Sequence, residues 1–158
     1  MQKIKDAAAE FLANKRVAVT GVSRNPGDHG RQHRVPPPPG PWLRGRRGQP
    51  ERRRGRGDTC YHDLKSIPGG VDAVVIATHP ETAEATMREC AELDINHVWM
   101  HRAFGAGSLS PAAADYGRAH GISVIDGGCP LMFPPAADVG HRVMRVMLTL
   151  KGNVPKTV

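Results

Sequence analysis

The sequence predicts an α/β fold built on a doubly wound parallel sheet, and three observations carry that prediction. Short, continuous apolar runs recur at 16–21, 71–77, 97–100 and 122–126. Amphipathic stretches with helix-start signals lie between or beyond them, and the first run ends on a glycine, Gly21. Strands that are apolar throughout are covered on both faces, as in a parallel sheet between two helix layers. A chain of 158 residues suits one domain with a real core and is too short for two full ones.

The elements follow in order. Residues 4–14 form an amphipathic helix with Ile4, Ala8, Phe11 and Leu12 on one stripe. Arg16-Val-Ala-Val-Thr-Gly21 is the first strand and Val71-Asp-Ala-Val-Val-Ile-Ala77 the next legible one. Pro80 starts a helix running to Leu93, with Glu81 and Glu84 near its positive end. His97-Val-Trp-Met100 is a strand, and Ser110 caps a helix from Pro111 to His120 that Gly121 closes. Ile122-Ser-Val-Ile-Asp126 is the last strand. Asp138 caps a final helix, Val139 to Leu150, on which Val143, Val146, Met147 and Leu150 are expected to face inward.

A doubly wound sheet needs a helix and a second strand after Gly21, and the chain has something else there. Residues 29–57 hold nine arginines, no lysine, one acid (Glu51), six prolines and six glycines, and only Val35, Trp42 and Leu43 are apolar. The chain's net charge of +7 therefore belongs to this segment, which carries +8. Such composition cannot bury enough surface to order itself, and Pro36 to Pro39 remove helix donors. The segment is expected to be loop or disordered, with strand 2 and its helix lost and one side of the sheet open.

The genetic code suggests why. Arginine, proline and glycine are CGN, CCN and GGN codons, so the segment resembles GC-rich DNA read out of frame. A one-base shift of back-translated Gln32 to Arg56 permits NIVYRRLRDRGYEVAVANPNADEVE, which runs into Gly57-Asp-Thr-Cys-Tyr61. That string is an amphipathic helix, a glycine stop, a strand and an Asn-Pro turn, which is the missing unit.

The composition also bounds function. No run of eighteen apolar residues exists, so a membrane span is excluded, and the N-terminal stretch lacks the apolar core of a secretory signal. Cys60, Cys90 and Cys129 are widely spaced and odd in number, which argues against a disulfide framework and for a reducing, cytoplasmic setting. No metal-ligand spacing, paired carboxylates or nucleophile–base set stands out, so no metal and no catalytic residue is assigned. Cys129 could be a reactive thiol, but a buried, inert cysteine fits better.

Candidate binding residues gather at strand ends. After the first strand comes Thr20-Gly-Val-Ser-Arg-Asn-Pro-Gly27, where a glycine at a strand-to-helix turn lets backbone N–H groups approach phosphate, with Ser23 and Arg24 as added donors. It is not G-x-G-x-x-G, and a tight turn for packing alone is the other reading. Thr78-His-Pro80 and Met100-His-Arg102 end two further strands and can share one crevice with the Gly21 loop. Alternatively, His79 caps the next helix and His101 is simply solvated.

Taken together, Val19-Thr-Gly-Val-Ser-Arg-Asn-Pro26, Gly57 to Pro68, Val71 to Glu81, Val98-Trp-Met-His101 and Asp126-Gly-Gly-Cys-Pro130 resemble the small single-domain CoA-binding proteins. They are similar to the CoA-binding N-terminal domain of the succinyl-CoA synthetase α subunit. The resemblance spans about residues 10 to 135, leaving out 29–56. It implies a Rossmann-like fold with five parallel strands and CoA or acyl-CoA as ligand. Its phosphates would lie on the loop Gly21, Val22, Ser23, Arg24 and Asn25, while Thr78, His79, Pro80, Met100 and His101 line the nucleotide and pantetheine path. In the family an Asn-Pro at the end of strand 2 helps hold the adenosine end; that pair occurs in the shifted reading and not in the chain as it stands. Two other classes remain open: an NAD(P)-binding enzyme or sensor on the same fold, and non-specific polyanion binding by the arginine-rich segment.

Overall fold

A computed structural model of the chain describes residues 2–21, 42–45, 54–55, 58–102 and 105–158; at 42–45, 54–55 and 58–60 the description is of the backbone alone. Seven strands, β1 Val17–Thr20, β2 Trp42–Gly45, β3 Arg54–Gly55, β4 Asp58–Tyr61, β5 Ala73–Ile76, β6 His97–Met100 and β7 Ser123–Asp126, form one sheet in the order β3-β4-β2-β1-β5-β6-β7. Every pairing is parallel except β3 with β4. Among the described residues four helices accompany it: α1 Ile4–Ala13, α2 Pro80–Glu92, α3 Pro111–Ala119 and α4 Val139–Leu150, with a 3-10 turn at Pro130–Met132. The Rossmann-like, doubly wound parallel sheet predicted from the sequence is the architecture found.

Alternation along the strands sorts side chains into two apolar layers. Val74, Ile76, Val98, Met100 and Val124 face α2 and α3, where they meet Ala83, Met87, Ala113 and Ala114. Val17, Val75, Trp99 and Ile125 face the other way, onto Ala7, Ala8 and Phe11 of α1, the turn residues Leu131, Met132 and Phe133, and Leu148 of α4. Trp99 anchors this second layer. Its ring meets Phe11 edge-on at 5.3 Å and Phe133 at 5.5 Å, and its buried indole N–H donates to the Gly127 carbonyl at 2.9 Å. The predicted caps form: the hydroxyl of Ser110 accepts from Ala113 N–H and the carboxylate of Asp138 from His141 N–H, at 3.3 and 2.7 Å.

The structure corrects the sequence reading in three places. Strand 2 is present: Trp42–Gly45 pairs parallel with β1, Val17 opposite Trp42 and Val19 opposite Arg44, and Asp58–Tyr61 pairs parallel with it in turn. The edge of β1 is therefore covered, and among the described residues the sheet has seven strands, where the resemblance implies five and the second was expected to be lost. The stretch between Pro41 and Pro50 is free of proline, so its backbone N–H groups are available to a ladder; averaging composition over 29–57 hid that. The expectation of loop or disorder thus fails at 42–45 and 54–55, and the rest of that segment, like the helix expected after β1, lies outside the described residues.

The third correction concerns α4. Val143, Val146, Met147 and Leu150 face solvent, at 60, 59, 50 and 84% exposure. This helix packs against the 3-10 turn and reaches the second apolar layer through Leu148. It docks through Leu148, which is buried, through half-buried Met144, and through Arg145, whose guanidinium lies over the Phe133 ring and donates to the Met132 carbonyl.

Candidate functional site

The sheet order changes direction once. After β1 the chain builds outward through β2 and β4, then returns to the other side of β1 as β5. The crevice outside the carboxyl ends of β1 and β5 is thus the topological switch point, where open parallel sheets take their ligands. The strand ends are in register there: Thr20 opposite Ile76, Ile76 opposite Met100 and Met100 opposite Asp126.

Gly21 is the first residue past β1. Its φ is +85°, and a β-carbon there would lie 2.2 Å from the Ala77 carbonyl oxygen and 2.8 Å from Thr78 N. Only glycine allows the backbones leaving β1 and β5 to come this close. The Ala77 N–H donates to the Thr20 carbonyl at 3.2 Å, and the His101 N–H donates to the Ile76 carbonyl at 2.9 Å, so three strand exits are tied together by main chain.

Thr78 sits on this rim with a buried hydroxyl that has no hydrogen-bond partner among the described residues. A buried hydroxyl without a partner is costly and rare, and this one lies beside the strand exits at the switch point. His79 occupies the N-cap position of α2, with Pro80 as the first helical residue as predicted. Its side chain makes no capping bond and is exposed; the capping oxygen for Thr82 is its backbone carbonyl, reached at 3.0 Å. The capping alternative for the His79 ring therefore falls, and the imidazole is exposed at the helix entrance.

His101 is half-buried, and burial pushes its imidazole below the usual value of 6.5. Its carbonyl accepts from Ser108 N–H at 2.9 Å, and Gly107, at φ +59°, leaves so little room that a β-carbon would fall 2.6 Å from that oxygen. Near neutral pH such an imidazole is uncharged, so it can exchange hydrogen bonds at the rim but adds no charge.

Met100 does not line the crevice with its side chain. It is fully buried among Val98, Met87 and Ala113, so only its backbone reaches the edge. Cys129 is buried as well, and desolvation pushes its thiol up to about 11, which leaves it protonated and unreactive near neutral pH. Val22, Ser23, Arg24 and Asn25 lie outside the described residues.

The structure adds residues that sequence reasoning passed over. Gly107 and Ser108 clamp His101, and the Gly127–Gly128 turn holds both Trp99 and Arg102, the latter by its N–H to the Gly128 carbonyl at 2.9 Å. The paired glycines in Asp126-Gly-Gly-Cys-Pro130 were the available signal. Asp126, at the end of β7, is ion-paired with Arg118 at 2.9 Å, so its carboxylate is engaged within the fold.

A parallel sheet covered by helices on both faces and tied at its switch point defines a Rossmann-like domain. Residues 49–135, more than half of the chain, match the CoA binding domain family, and the chain belongs to that family. The matched stretch includes Thr78, His79, Pro80 and His101 and leaves out the Gly21 loop.

Solved structures agree in fold. A hypothetical protein from Pyrococcus horikoshii OT3 is similar with a TM-score of 0.62 at 15% identity, over 83% of this chain and 92% of its own. A conserved hypothetical protein from Pyrococcus furiosus is similar with a TM-score of 0.54 at 20% identity, over 73% of this chain and 95% of its own. The dinucleotide-forming acetyl-coenzyme A synthetase 1 of Ca. Korarchaeum cryptofilum is similar with a TM-score of 0.51 at 17% identity, over 73% of this chain and 27% of its own. No curated protein matches. Among the described residues no helix is long and apolar enough to cross a membrane.

Proposed function

We propose that this domain binds coenzyme A or an acyl-CoA in the crevice between β1 and β5 and carries out no reaction on it. The observation that carries this reading is the close approach of Gly21 to Ala77 and Thr78, beside a buried threonine hydroxyl without a partner. Membership of the CoA-binding domain family supplies the ligand class.

In this reading the chain turns at Gly21 so that the following N–H groups meet the pyrophosphate, with Ser23 and Arg24 adding a hydroxyl donor and a positive charge. Thr78 donates its free hydroxyl to the same region. His79 and Pro80, at the N-terminal and electropositive end of α2, face the ligand's anionic part. Neutral His101 flanks the pantetheine path. The thiol of Cys129 takes no part, because it is protonated and buried.

Calorimetric titration of the full chain with CoA, acetyl-CoA, NAD and NADP tests this reading. Saturable heat with CoA or acetyl-CoA is expected, with the thioester intact after long incubation. Heat with a dinucleotide and none with CoA transfers the site to nicotinamide chemistry. Loss of the thioester in the presence of the protein overturns the non-catalytic assignment.

A further inference from the structure

The outer face of α4 is an apolar stripe left in solvent. Val139, Val143, Val146, Met147 and Leu150 are 77, 60, 59, 50 and 84% exposed. At 100° per residue these five fall within about 100° of the helix circumference, and no charged residue lies among them. Arg142 flanks the stripe on one side and Gly140 on the other.

We propose that this stripe binds a second copy of the chain, with two α4 helices packed antiparallel about a twofold axis near Met144 and Arg145. The spacing carries the argument. The four most exposed of these five are 139, 143, 146 and 150, so their separations of four, three and four residues read the same in both directions. A twofold axis at the midpoint sets Val139 against the partner's Leu150 and Val143 against the partner's Val146. That is the self-complementarity a closed twofold interface needs. On one flank Met147 falls beside the partner's Gly140, a large side chain against a gap. On the other, Arg142 falls near the partner's Thr149.

Other occupants fit less well. The chain's own segment 29–57 carries +8 and three apolar residues, so Arg142 and Lys151 repel it and it has little to bury. A lipid surface favours tryptophan, phenylalanine and leucine on the apolar face of such a helix, and three of the five residues on this stripe are valines, with no aromatic among them. Twelve residues make a helix only about 18 Å long. Its footprint falls short of the roughly 800 Å² per partner of a standard stable interface. The dimer is therefore reversible and depends on concentration.

Sedimentation velocity and light scattering on the full chain test this. The dimer fraction rises with concentration, and Val146→Glu weakens association about tenfold or more, because it brings two carboxylates into an apolar contact. At concentrations where both chains are monomeric the variant keeps its melting temperature, since Val146 is exposed in the monomer. Under oxidising conditions a mixture of Val139→Cys and Leu150→Cys chains forms a disulfide-linked dimer that neither forms alone. A chain that is monomeric at every concentration overturns the proposal, and so does a dimer indifferent to Val146→Glu. Cross-linking of Val139→Cys chains with themselves overturns the antiparallel arrangement. Binding of a monomeric chain to phosphatidylserine vesicles, lost in Val146→Glu, gives the stripe to lipid instead.

Discussion

The backbone of Gly21 lies against that of Ala77 so closely that a β-carbon on Gly21 would stand 2.2 Å from the Ala77 carbonyl oxygen. One residue leaves β1 and the other leaves β5, the two strands on either side of the switch point. Gly21→Ala therefore meets two costs at once: a left-handed φ that alanine resists, and a clash with main chain that cannot rotate away. We expect a loss of about 2–4 kcal/mol in urea unfolding and a fall in CoA affinity of more than about tenfold, as the strand exits separate. Unchanged stability would mean that the two exits do not meet.

Thr78→Val separates ligand binding from folding. The Thr78 hydroxyl satisfies nothing within the fold, so replacing it by a methyl of similar shape leaves stability unchanged or raises it slightly. If the hydroxyl serves the ligand, affinity for CoA falls by about 3–10-fold, the worth of one hydrogen bond. Calorimetry and thermal melts on the same samples read both effects. A variant with lost stability and intact affinity would place the hydroxyl in the fold, against the present assignment.

His101 gives a pH dependence with a definite sign. Burial holds its imidazole below 6.5 in the folded chain, so on lowering the pH the unfolded chain takes up the proton first. Unfolding then binds a proton in the window below 6.5, and stability falls as the pH drops through it, while above 6.5 both states are neutral and the effect vanishes. The urea midpoint should decline between pH 7 and 5 by less in His101→Gln than in the parent chain. Equal slopes would remove His101 as the cause.

Cys129 should behave as a silent thiol. With its value near 11, the thiolate is a trace species at pH 8, and the side chain is buried. Iodoacetamide at pH 8 should leave the Cys129 peptide unmodified in the folded chain and label it fully in urea, as peptide mass mapping would read. Rapid labelling of the folded chain would reopen a chemical role.

Much of this architecture was legible because continuous apolar runs such as Val74-Val-Ile76 and Val98-Trp-Met100 declare strands buried on both sides. The same runs could not say which side chain faces which layer. Met100 shares its face with Val98 and packs inward, while Trp99 between them supports the opposite layer. In α4 the 3.6-residue period revealed an apolar stripe but not its direction, because a stripe for the core and a stripe for a partner follow the same pattern. Strand β2 was obscured for a different reason. Four residues suffice to pair with β1, and their neighbours' prolines and arginines dominated the composition around them. The Gly21 contact was half visible: the glycine was read as a turn for phosphate, while the reason it must be glycine is a carbonyl 56 residues further along the chain.

The segment 29–57 bears on the ligand most directly. We propose that a one-base frame shift produced it, since nine arginines and six prolines crowd the stretch that should hold a helix before β2 and an Asn-Pro turn after it. A chain in which residues 32–56 are replaced by NIVYRRLRDRGYEVAVANPNADEVE supplies a helix pattern, a glycine stop and an Asn-Pro turn at the strand end. It also removes a concentrated positive charge that repels itself. It should melt at a higher temperature and bind CoA at least about tenfold more tightly, as an adenosine-side wall worth one or two hydrogen bonds would require. Sequencing of the gene in independent reads should show a compensating pair of insertions and deletions flanking these codons. Clean reads of the present frame, with a replaced chain no more stable and no better at binding, would establish the arginine-rich segment as native.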